Sequence, residues 1–228
     1  MTSSKELKIV KTADGSNTIF NPRVGEHYHS THGALQEGRH VFIDSGLAYF
    51  LGRAPETRSV SIIEVGFGTG LNFLLSADYC PAKAIALEYT GIEPNPLSLE
   101  MIGQTGYERY VQPGTWANFI EKYTESLNSR TSIGPNCKLE IAKRPLEDFR
   151  PHILYDIAYF DAFASASQPE MWTQEALSHI IKSLKPGGVF VTYAITGNLK
   201  RTLKGLNCTI EKVKGAAGKR EMLRAIRL

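Results

Sequence analysis

A glycine-rich turn between a predicted strand and a predicted helix constrains this chain more than any other feature. The apolar run Val60–Val65 leads into the sequence EVGFGTG at residues 64–70, which opens the amphipathic segment Leu71–Tyr79. Glycines at this spacing let the backbone turn tightly and let a ligand approach without meeting a β-carbon, and the start of the helix offers unpaired N–H groups. The sequence therefore predicts a nucleotide-like ligand at this turn.

Strand-like and helix-like segments alternate after this point, which is typical of a parallel sheet with helices on both faces. The segments are Val60–Val65, Leu71–Tyr79, Tyr89–Ile92, Pro96–Met101, Leu139–Ala142, Asp156–Phe160, Gln174–Ser183, Gly188–Ala194 and Leu199–Leu203. Cys208–Val213 and Met222–Ile226, joined by a glycine-rich loop, predict a closing hairpin. We expect an α/β domain over residues 59–228, with a mostly parallel seven-stranded sheet that ends in an antiparallel hairpin.

Two further regions complete the predicted organisation. Residues 1–58 are rich in turn signals and are interpreted as an N-terminal extension that packs on the core, with a short strand at His40–Ile43. Between residues 107 and 133 aromatic side chains recur at near-helical spacing, which predicts an inserted helix whose rings belong to the core. These rings are Trp116, Phe119 and Tyr123.

Composition excludes some classes of protein and leaves others open. With 228 residues, 42% of them hydrophobic, the chain can bury a large core. A net charge of +3 does not indicate a nucleic-acid partner, although basic residues cluster near the end, at Lys212, Lys214, Lys219, Arg220, Arg224 and Arg227. The three cysteines favour reduced thiols over a disulfide framework, and neither an export signal nor a bilayer-length apolar run is apparent. We therefore expect a cytoplasmic protein without a membrane partner.

The acid at the end of the first predicted strand discriminates between cofactor classes. Dinucleotide sites have the spacing G-x-G-x-x-G and seat a pyrophosphate on the helix end, whereas this chain has G-x-G-x-G preceded by Glu64. A carboxylate repels a pyrophosphate and attracts an ammonium group, such as that of S-adenosylmethionine. Glu93, after the second strand, is placed to accept both ribose hydroxyls. The alternatives are a turn-capping acid for Glu64 and a solvated loop acid for Glu93.

These motifs resemble those of the class I S-adenosylmethionine-dependent methyltransferases, whose first motif is E/D-x-G-x-G-x-G. The resemblance covers roughly residues 60–194 and implies a Rossmann-like fold. Many members carry a Gly-Asp pair after the third strand, whereas this chain has RPLED at residues 144–148. Leu146 is then a backbone contact for the adenine, and the acidic partner of the adenine, Glu147 or Asp148, stays open.

The loop after the fourth predicted strand is the candidate reaction site. Asp161 is followed by Phe163 and by the run QPEMW at residues 168–172, at the carboxyl edge where open α/β sheets bind ligands. We select Asp161 as the catalytic residue. In the alternative interpretation this acid only accepts hydrogen bonds from loop amides.

A narrower resemblance rests on several motifs. The segments EVGFGTGLN (64–72), DAF (161–163), QPEMW (168–172), LKPGGVFV (184–191), GKREMLR (218–224) and the opening 25–47 are similar to the methyltransferase domain of the tRNA 5-methylaminomethyl-2-thiouridine biosynthesis proteins. Family members often have Asp-Ala-Phe-x-Pro where this chain carries Ser165. Without a second glycine-rich motif before Leu228, the chain resembles the stand-alone form that lacks an FAD-dependent oxidoreductase domain.

The resemblance implies N-methylation of 5-aminomethyl-2-thiouridine at the tRNA wobble position, with tRNA as partner and functional coupling to the enzymes that make the aminomethyl precursor. The cofactor contacts implied are Glu64, Gly66, Phe67, Gly68, Gly70, Asn72, Glu93, Leu146 and Asp161. Phe163 and Trp172 are expected to stack on a flipped-out base, or to pack under the loop instead. Tyr28 is expected near the substrate, and Lys219 and Arg220 near the tRNA phosphates.

The sequence is also consistent with other interpretations. His27, His29 and His32 form an H-x-H-x-x-H cluster, but only Glu26 stands nearby to complete a ligand set, so we expect no metal. The same cofactor site also fits transfer to another amine or small-molecule acceptor. A third interpretation is an RNA-binding module without catalysis, which the retained glycines and acids disfavour.

Overall fold

The computed structural model describes residues 6–228, so residues 1–5 of the predicted extension lie outside the described residues. The strands are β1 Lys8–Lys11, β2 Asn17–Asn21, β3 Glu26–His27, β4 Ser59–Val65, β5 Ala86–Ile92, β6 Thr131–Gly134, β7 Cys137–Ala142, β8 Tyr155–Phe160, β9 Leu184–Thr192, β10 Cys208–Lys214 and β11 Glu221–Arg227. The helices are α1 Ala34–Glu37, α2 Tyr49–Arg53, α3 Leu71–Tyr79, α4 Leu99–Gly103, α5 Pro113–Ser126, α6 Gln174–Lys182 and α7 Gly197–Gly205. A π-helical segment, Gly38–Ala48, joins α1 to α2.

The main sheet has the order β10-β11-β9-β8-β4-β5-β7-β6. Strands β9, β8, β4, β5 and β7 run parallel, and β11 lies antiparallel between β9 and β10. This arrangement confirms the predicted α/β class and the closing hairpin. The predicted number of seven strands is wrong, since the described part of the chain forms eight. The additional strand is β6, a short edge strand that pairs antiparallel with β7 and carries no alternating pattern long enough to indicate a strand.

The inserted helix predicted between residues 107 and 133 is α5. Its spacing of aromatic residues puts Phe119 and Tyr123 on the buried face, and the Phe119 ring lies 5.4 Å from the ring of Phe73 on α3 and 6.5 Å from that of Phe67. The prediction that these aromatic rings belong to the core is confirmed for Phe119 and Tyr123, whereas Trp116 is half-buried at the edge of the core. Helix α5 therefore supports the helix that follows the glycine-rich turn.

The predicted strand at His40–Ile43 is wrong, because these residues lie in the π-helical segment Gly38–Ala48. A run of three apolar residues does not by itself distinguish a strand from a buried helix. Val41 and Phe42 are fully buried here, and the Phe42 ring packs 5.0 Å from that of Tyr159 on β8. Packing against α3 and the sheet selects the helical conformation.

The chain before the π-helical segment forms a separate sheet in the order β1-β2-β3. Its hydrogen bonds include Tyr107 Oη to the carbonyl of Asn17 at 3.0 Å, and Ile19 of β2 is fully buried in the common core. A domain boundary after residue 58 stays a prediction. Among residues 6–228, every helix is too short or too polar to cross a membrane.

We expect Phe119→Ala to destabilise the fold by about 3–5 kcal/mol, because the fully buried ring contacts several other aromatic rings and its removal leaves a cavity. Urea unfolding followed by tryptophan fluorescence measures the change. Glu121→Ala on the exposed face of the same helix is the matched control and should change stability by less than about 0.5 kcal/mol. Equal effects of the two substitutions would contradict the packing role.

Candidate active site

A cavity of about 390 Å³ lies at the carboxyl ends of β4, β5 and β8. From β4 the chain continues to β5 on one side, while β8 pairs with β4 on the other side, so the cavity sits where the strand order reverses. The N-terminal sheet covers it. The predicted site residues that line the cavity are Tyr28, Gly66, Phe67, Gly68, Glu93, Leu146, Asp161 and Phe163.

The glycine-rich turn is packed between the ends of neighbouring strands. Gly66 has φ +84°, its N–H donates to the carbonyl of Ile92 at 3.0 Å, and a β-carbon there would clash with the carbonyl oxygen of Asp161. A β-carbon on Gly68 would lie 2.8 Å from the Tyr28 ring. The glycines are thus needed first for close packing of protein against the turn, while their backbone still faces the cavity.

Glu93 connects the end of β5 to the glycine-rich turn. One carboxylate oxygen accepts the N–H of Gly68 at 3.1 Å, and the other accepts the N–H of Asn95 at 3.0 Å. Burial raises the pKa of Glu93, and these two hydrogen bonds oppose the increase. Each oxygen keeps a free lone pair, so this carboxylate can accept hydroxyl donors from a ligand in the cavity.

Glu64 lies behind the cavity wall. Its side chain is 0% exposed, and its two oxygens accept hydrogen bonds from Asn72 Nδ2 and Tyr89 Oη, each at 2.8 Å. Burial and the nearby carboxylate of Asp161 raise the pKa of Glu64 well above its usual value. Direct attraction of a ligand ammonium by Glu64 stays a prediction, since Asn72 stands between it and Asp161. Tyr89, the second partner, was missed because no local motif marks it.

Asp161 shares the Asn72 amide with Glu64. Asn72 Nδ2 donates to Asp161 Oδ2 at 2.8 Å as well, so one amide nitrogen holds two carboxylates. Burial, followed by the charge of Glu37, raises the pKa of Asp161 to about 8, against the hydrogen bond from Asn72 and the charge of Lys219. Asp161 therefore exchanges a proton close to neutral pH, which is the range that acid–base chemistry requires.

The aromatic residues predicted for the substrate separate into two groups. The rings of Tyr28 and Phe163 meet edge to face at 5.3 Å and both line the cavity. Trp172 packs its ring 5.1 Å from that of Phe160 and donates its indole N–H to the carbonyl of Phe163 at 2.8 Å. Trp172 thus supports the loop from below, outside the cavity lining. Phe67 also lines the cavity, and its ring packs 6.3 Å from that of Phe73 in the aromatic core.

The remaining predicted contacts are distributed around this centre. Leu146 is 3% exposed and lines the cavity next to Glu147, whereas Asp148 does not line it. Gly70 precedes α3 with φ +77° and is buried behind the turn. Lys219 pairs with Glu37, and Arg220 is exposed on the same loop, outside the lining.

The three histidines do not converge. His29 lines the cavity, and burial lowers its pKa to about 4, so its ring is neutral at physiological pH. The ring of His27 packs 5.0 Å from that of Phe20, and a β-carbon on Gly218 would clash with His32. In the part of the chain that the structure describes, no group of three or more acidic, histidine or cysteine side chains is suited to a metal ion.

The charged side chains that line the cavity are acidic. Glu93, Glu147, Asp161 and Glu170 line it, whereas none of the described lining residues is a lysine or an arginine. Such a cavity favours a cationic ligand and disfavours a pyrophosphate. Its volume and the oxygens of Glu93 fit S-adenosylmethionine, a sulfonium with a ribose and an adenine.

Another contact that the sequence did not indicate closes the cavity from above. Glu26 of β3 accepts hydrogen bonds from the N–H of Ala164, at 3.2 Å, and from the hydroxyl of Ser167. The N-terminal sheet is thereby fixed to the loop that carries Asp161. The separation of about 140 residues between these partners explains why no sequence motif predicts the contact.

Comparisons with known proteins agree with this geometry. The tRNA 5-methylaminomethyl-2-thiouridine biosynthesis bifunctional protein MnmC of Burkholderia thailandensis is 29% identical over 221 residues, which are 90% of this chain and 33% of that protein. The protein of the same name from Cupriavidus necator is 29% identical over 219 residues, 89% of this chain and 32% of that protein. The chain therefore spans about a third of the length of these curated relatives.

A solved structure and a family profile complete the comparison. The crystal structure of MNMC2 from Aquifex aeolicus superposes with a TM-score of 0.77 at 23% identity, covering 98% of this chain and 71% of that chain, which indicates a shared fold. The names of the curated relatives confirm the resemblance, predicted from the sequence motifs, to the tRNA 5-methylaminomethyl-2-thiouridine biosynthesis proteins. The profile of a family described as S-adenosyl-L-methionine-dependent methyltransferase matches residues 114–227. The chain belongs to this family of S-adenosyl-L-methionine-dependent methyltransferases.

Proposed function

We propose that the chain transfers a methyl group from S-adenosylmethionine to the amine of 5-aminomethyl-2-thiouridine at the tRNA wobble position. The observation that carries the proposal is Asp161, a carboxylate with a pKa of about 8 in an acidic cavity, beside the ring pair Tyr28 and Phe163. The names of the relatives support a modified tRNA uridine as the substrate. With a tRNA substrate, we also propose a cytoplasmic location and functional coupling to the enzymes that make the aminomethyl precursor.

In this proposal the cofactor lies along the glycine-rich turn. Glu93 accepts its ribose hydroxyls, Gly66 and Gly68 face it with their backbone, and Leu146 lies beside its adenine. When bound, S-adenosylmethionine supplies an electrophilic methyl group on a sulfonium. Glu64 acts from behind the wall, because Asn72 joins its carboxylate to that of Asp161.

Asp161 would first orient the acceptor amine. An alkylamine has a pKa of about 10, so it arrives mostly protonated and must lose a proton before its lone pair can attack. An ionised Asp161 accepts a hydrogen bond from the amine and aligns the nitrogen. Full transfer of a proton from the ammonium to Asp161 is uphill by about two pKa units, or roughly 3 kcal/mol. Alignment of the nitrogen is therefore the main contribution of this carboxylate.

The tRNA backbone would lie outside the acidic cavity, since its phosphates are repelled by the carboxylates within. Two exposed arginines flank lining segments: Arg23 lies between Asn21 and Val24, and Arg144 precedes Pro145. We infer that both contact tRNA phosphates, together with Arg220. The rings of Tyr28 and Phe163 are then placed to stack on a base that leaves the anticodon loop.

The experiment that tests the proposed function uses labelled S-adenosylmethionine and tRNA from cells that accumulate the aminomethyl intermediate. Wild-type protein should yield the methylaminomethyl nucleoside after digestion. Transfer to free amines, with none to this tRNA, would support a small-molecule methyltransferase instead. Calorimetry that detects no binding of S-adenosylmethionine would exclude both.

We expect Asp161→Asn to lower kcat by roughly 10²–10³-fold, because the variant keeps the shape of the side chain and loses the acceptor charge. Deprotonation of the amine makes the rate rise with pH in both proteins, and ionisation of Asp161 should add to the wild-type profile a further limb that levels off near pH 8 and is absent from the variant. Single-turnover methylation between pH 6 and 9 measures both effects. The exposed Asp148→Asn is the matched control, and wild-type kinetics in the Asp161→Asn variant would remove Asp161 from the mechanism.

The same substitution is expected to stabilise the protein. The folded-state pKa of Asp161, about 8, lies above the ordinary value of 3.8 for an aspartate, so the folded state binds more protons between these values and loses stability as pH rises. Asp161→Asn removes this loss. Its urea midpoint should therefore exceed that of the wild type by an amount that grows from pH 4 to pH 8, and a difference independent of pH would contradict the shifted pKa.

We expect Arg23→Ala and Arg144→Ala to weaken tRNA binding and to reduce the slope of log Kd against log salt by about one each, since each removes a phosphate contact. Binding of S-adenosylmethionine should not change. Fluorescence anisotropy at several salt concentrations measures the slope. Lys83→Ala, exposed at the opposite edge of the sheet, is the control, and equal slopes in all variants would place the phosphates elsewhere.

A further inference from the structure

Lys219, in the loop between β10 and β11, is not a free surface cation. Its ammonium lies 2.9 Å from Glu37 Oε1 and 3.7 Å from the centroid of the Tyr193 ring. The Glu37 side chain is only 7% exposed, so its charge is poorly solvated and depends on this partner. The pair joins the tip of the C-terminal hairpin to the end of α1.

The end of α1 adjoins the amide that holds the two site carboxylates. The second oxygen of Glu37 accepts the N–H of Ser30 at 2.8 Å, which fixes the side chain. The next residue, Gly38, packs so closely that a β-carbon would lie 3.2 Å from Asn72 Oδ1. Movement of Glu37 would therefore be transmitted to Asn72, and through its Nδ2 atom to Asp161.

A second route runs through the ring beneath the ammonium. Tyr193, near the end of β9, donates its hydroxyl proton to the carbonyl oxygen of Ala162 at 2.9 Å. This carbonyl belongs to the residue directly after Asp161. A cation over the ring face holds Tyr193 in place, so Lys219 also restrains the backbone of the reaction loop.

We propose that Lys219 and Glu37 are positioning residues that hold Asp161 for the transfer step, one through Tyr193 and the other through Asn72. This inference rests on the role of Asp161 in the proposed function. It differs from a contact between Lys219 and tRNA phosphate, because the ammonium is already occupied by an anion and a ring.

The two charges act on Asp161 in opposite directions. Glu37 raises the pKa of Asp161 and Lys219 lowers it. The charge of Asp161 in turn raises the pKa of Glu64 in β4, of Tyr89 in β5, of Tyr107 and of Tyr193 after β9, so these groups also face it. Removing one member of the pair should therefore shift the pKa of Asp161, whereas removing both members should leave it nearly unchanged.

The test compares Lys219→Met, Glu37→Gln and the double variant. Lys219→Met should move the limb of the pH–rate profile that reports Asp161 to higher pH, by about one unit. Glu37→Gln should move the same limb to lower pH by a similar amount. The double variant should return near the wild-type position. Each single variant should lose about tenfold in kcat without a higher KM for tRNA. Lys204→Met, exposed at the end of α7, is the control.

Two outcomes would overturn the inference. Loss of activity without opposite displacements of the limb would indicate a purely structural pair. A higher KM for tRNA and a smaller salt slope in Lys219→Met, with the limb unmoved, would indicate a phosphate contact. Titration of the Asp161 carboxyl by carbon-13 NMR, assigned with Asp161→Asn, gives the same displacements without turnover. Opposite displacements in this titration, in a wild-type protein that fails to methylate the tRNA, would overturn the proposed function and leave the contact of the pair with Asp161 standing; equal carboxyl pKa values in all variants would overturn the inference itself.

Discussion

The site depends on one amide nitrogen that serves two carboxylates. Asn72 lies in the first turn of α3, and its Nδ2 atom donates to Glu64 at the end of β4 and to Asp161 after β8, each at 2.8 Å. Two carboxylates held this close, away from water, repel each other, so ionisation of one raises the pKa of the other. Proton exchange by Asp161 near neutral pH follows mainly from its burial at the end of β8, beside β4.

The acidic side chains of the cavity also determine where each proposed ligand binds, S-adenosylmethionine inside the cavity and the tRNA backbone outside it. A cavity lined by Glu93, Asp161, Glu147 and Glu170 attracts a sulfonium or an amine and repels phosphate. A polyanionic substrate can then present only a base to the cavity, while its backbone stays on the rim. The fold provides this separation because the acids follow strand ends and the exposed arginines flank the loops.

The local features could be predicted from the sequence and the non-local ones could not. The glycine-rich turn, α5 and the closing hairpin each follow from residues within one short window. The helical form of His40–Ile43 is set by packing against β8, and β6 exists only because β7 lies beside it. Glu64 was predicted as an acid at the strand end, but its enclosure depends on Tyr89, which is 25 residues away. Such partners are determined by topology, which no single segment encodes.

A carboxylate with a raised pKa costs stability, so the surrounding structure must hold it in place. Asp161 is fixed by its own N–H to the carbonyl of Val65 at 2.9 Å, and its neighbour Ala162 is held by Tyr193. The loop beyond is anchored by Trp172 and by Glu26 of the N-terminal sheet. Each anchor comes from a different element, so no single local opening frees the acid. Contacts from distant parts of the chain thus hold Asp161 in a buried position, although its carboxylate would be better solvated in water.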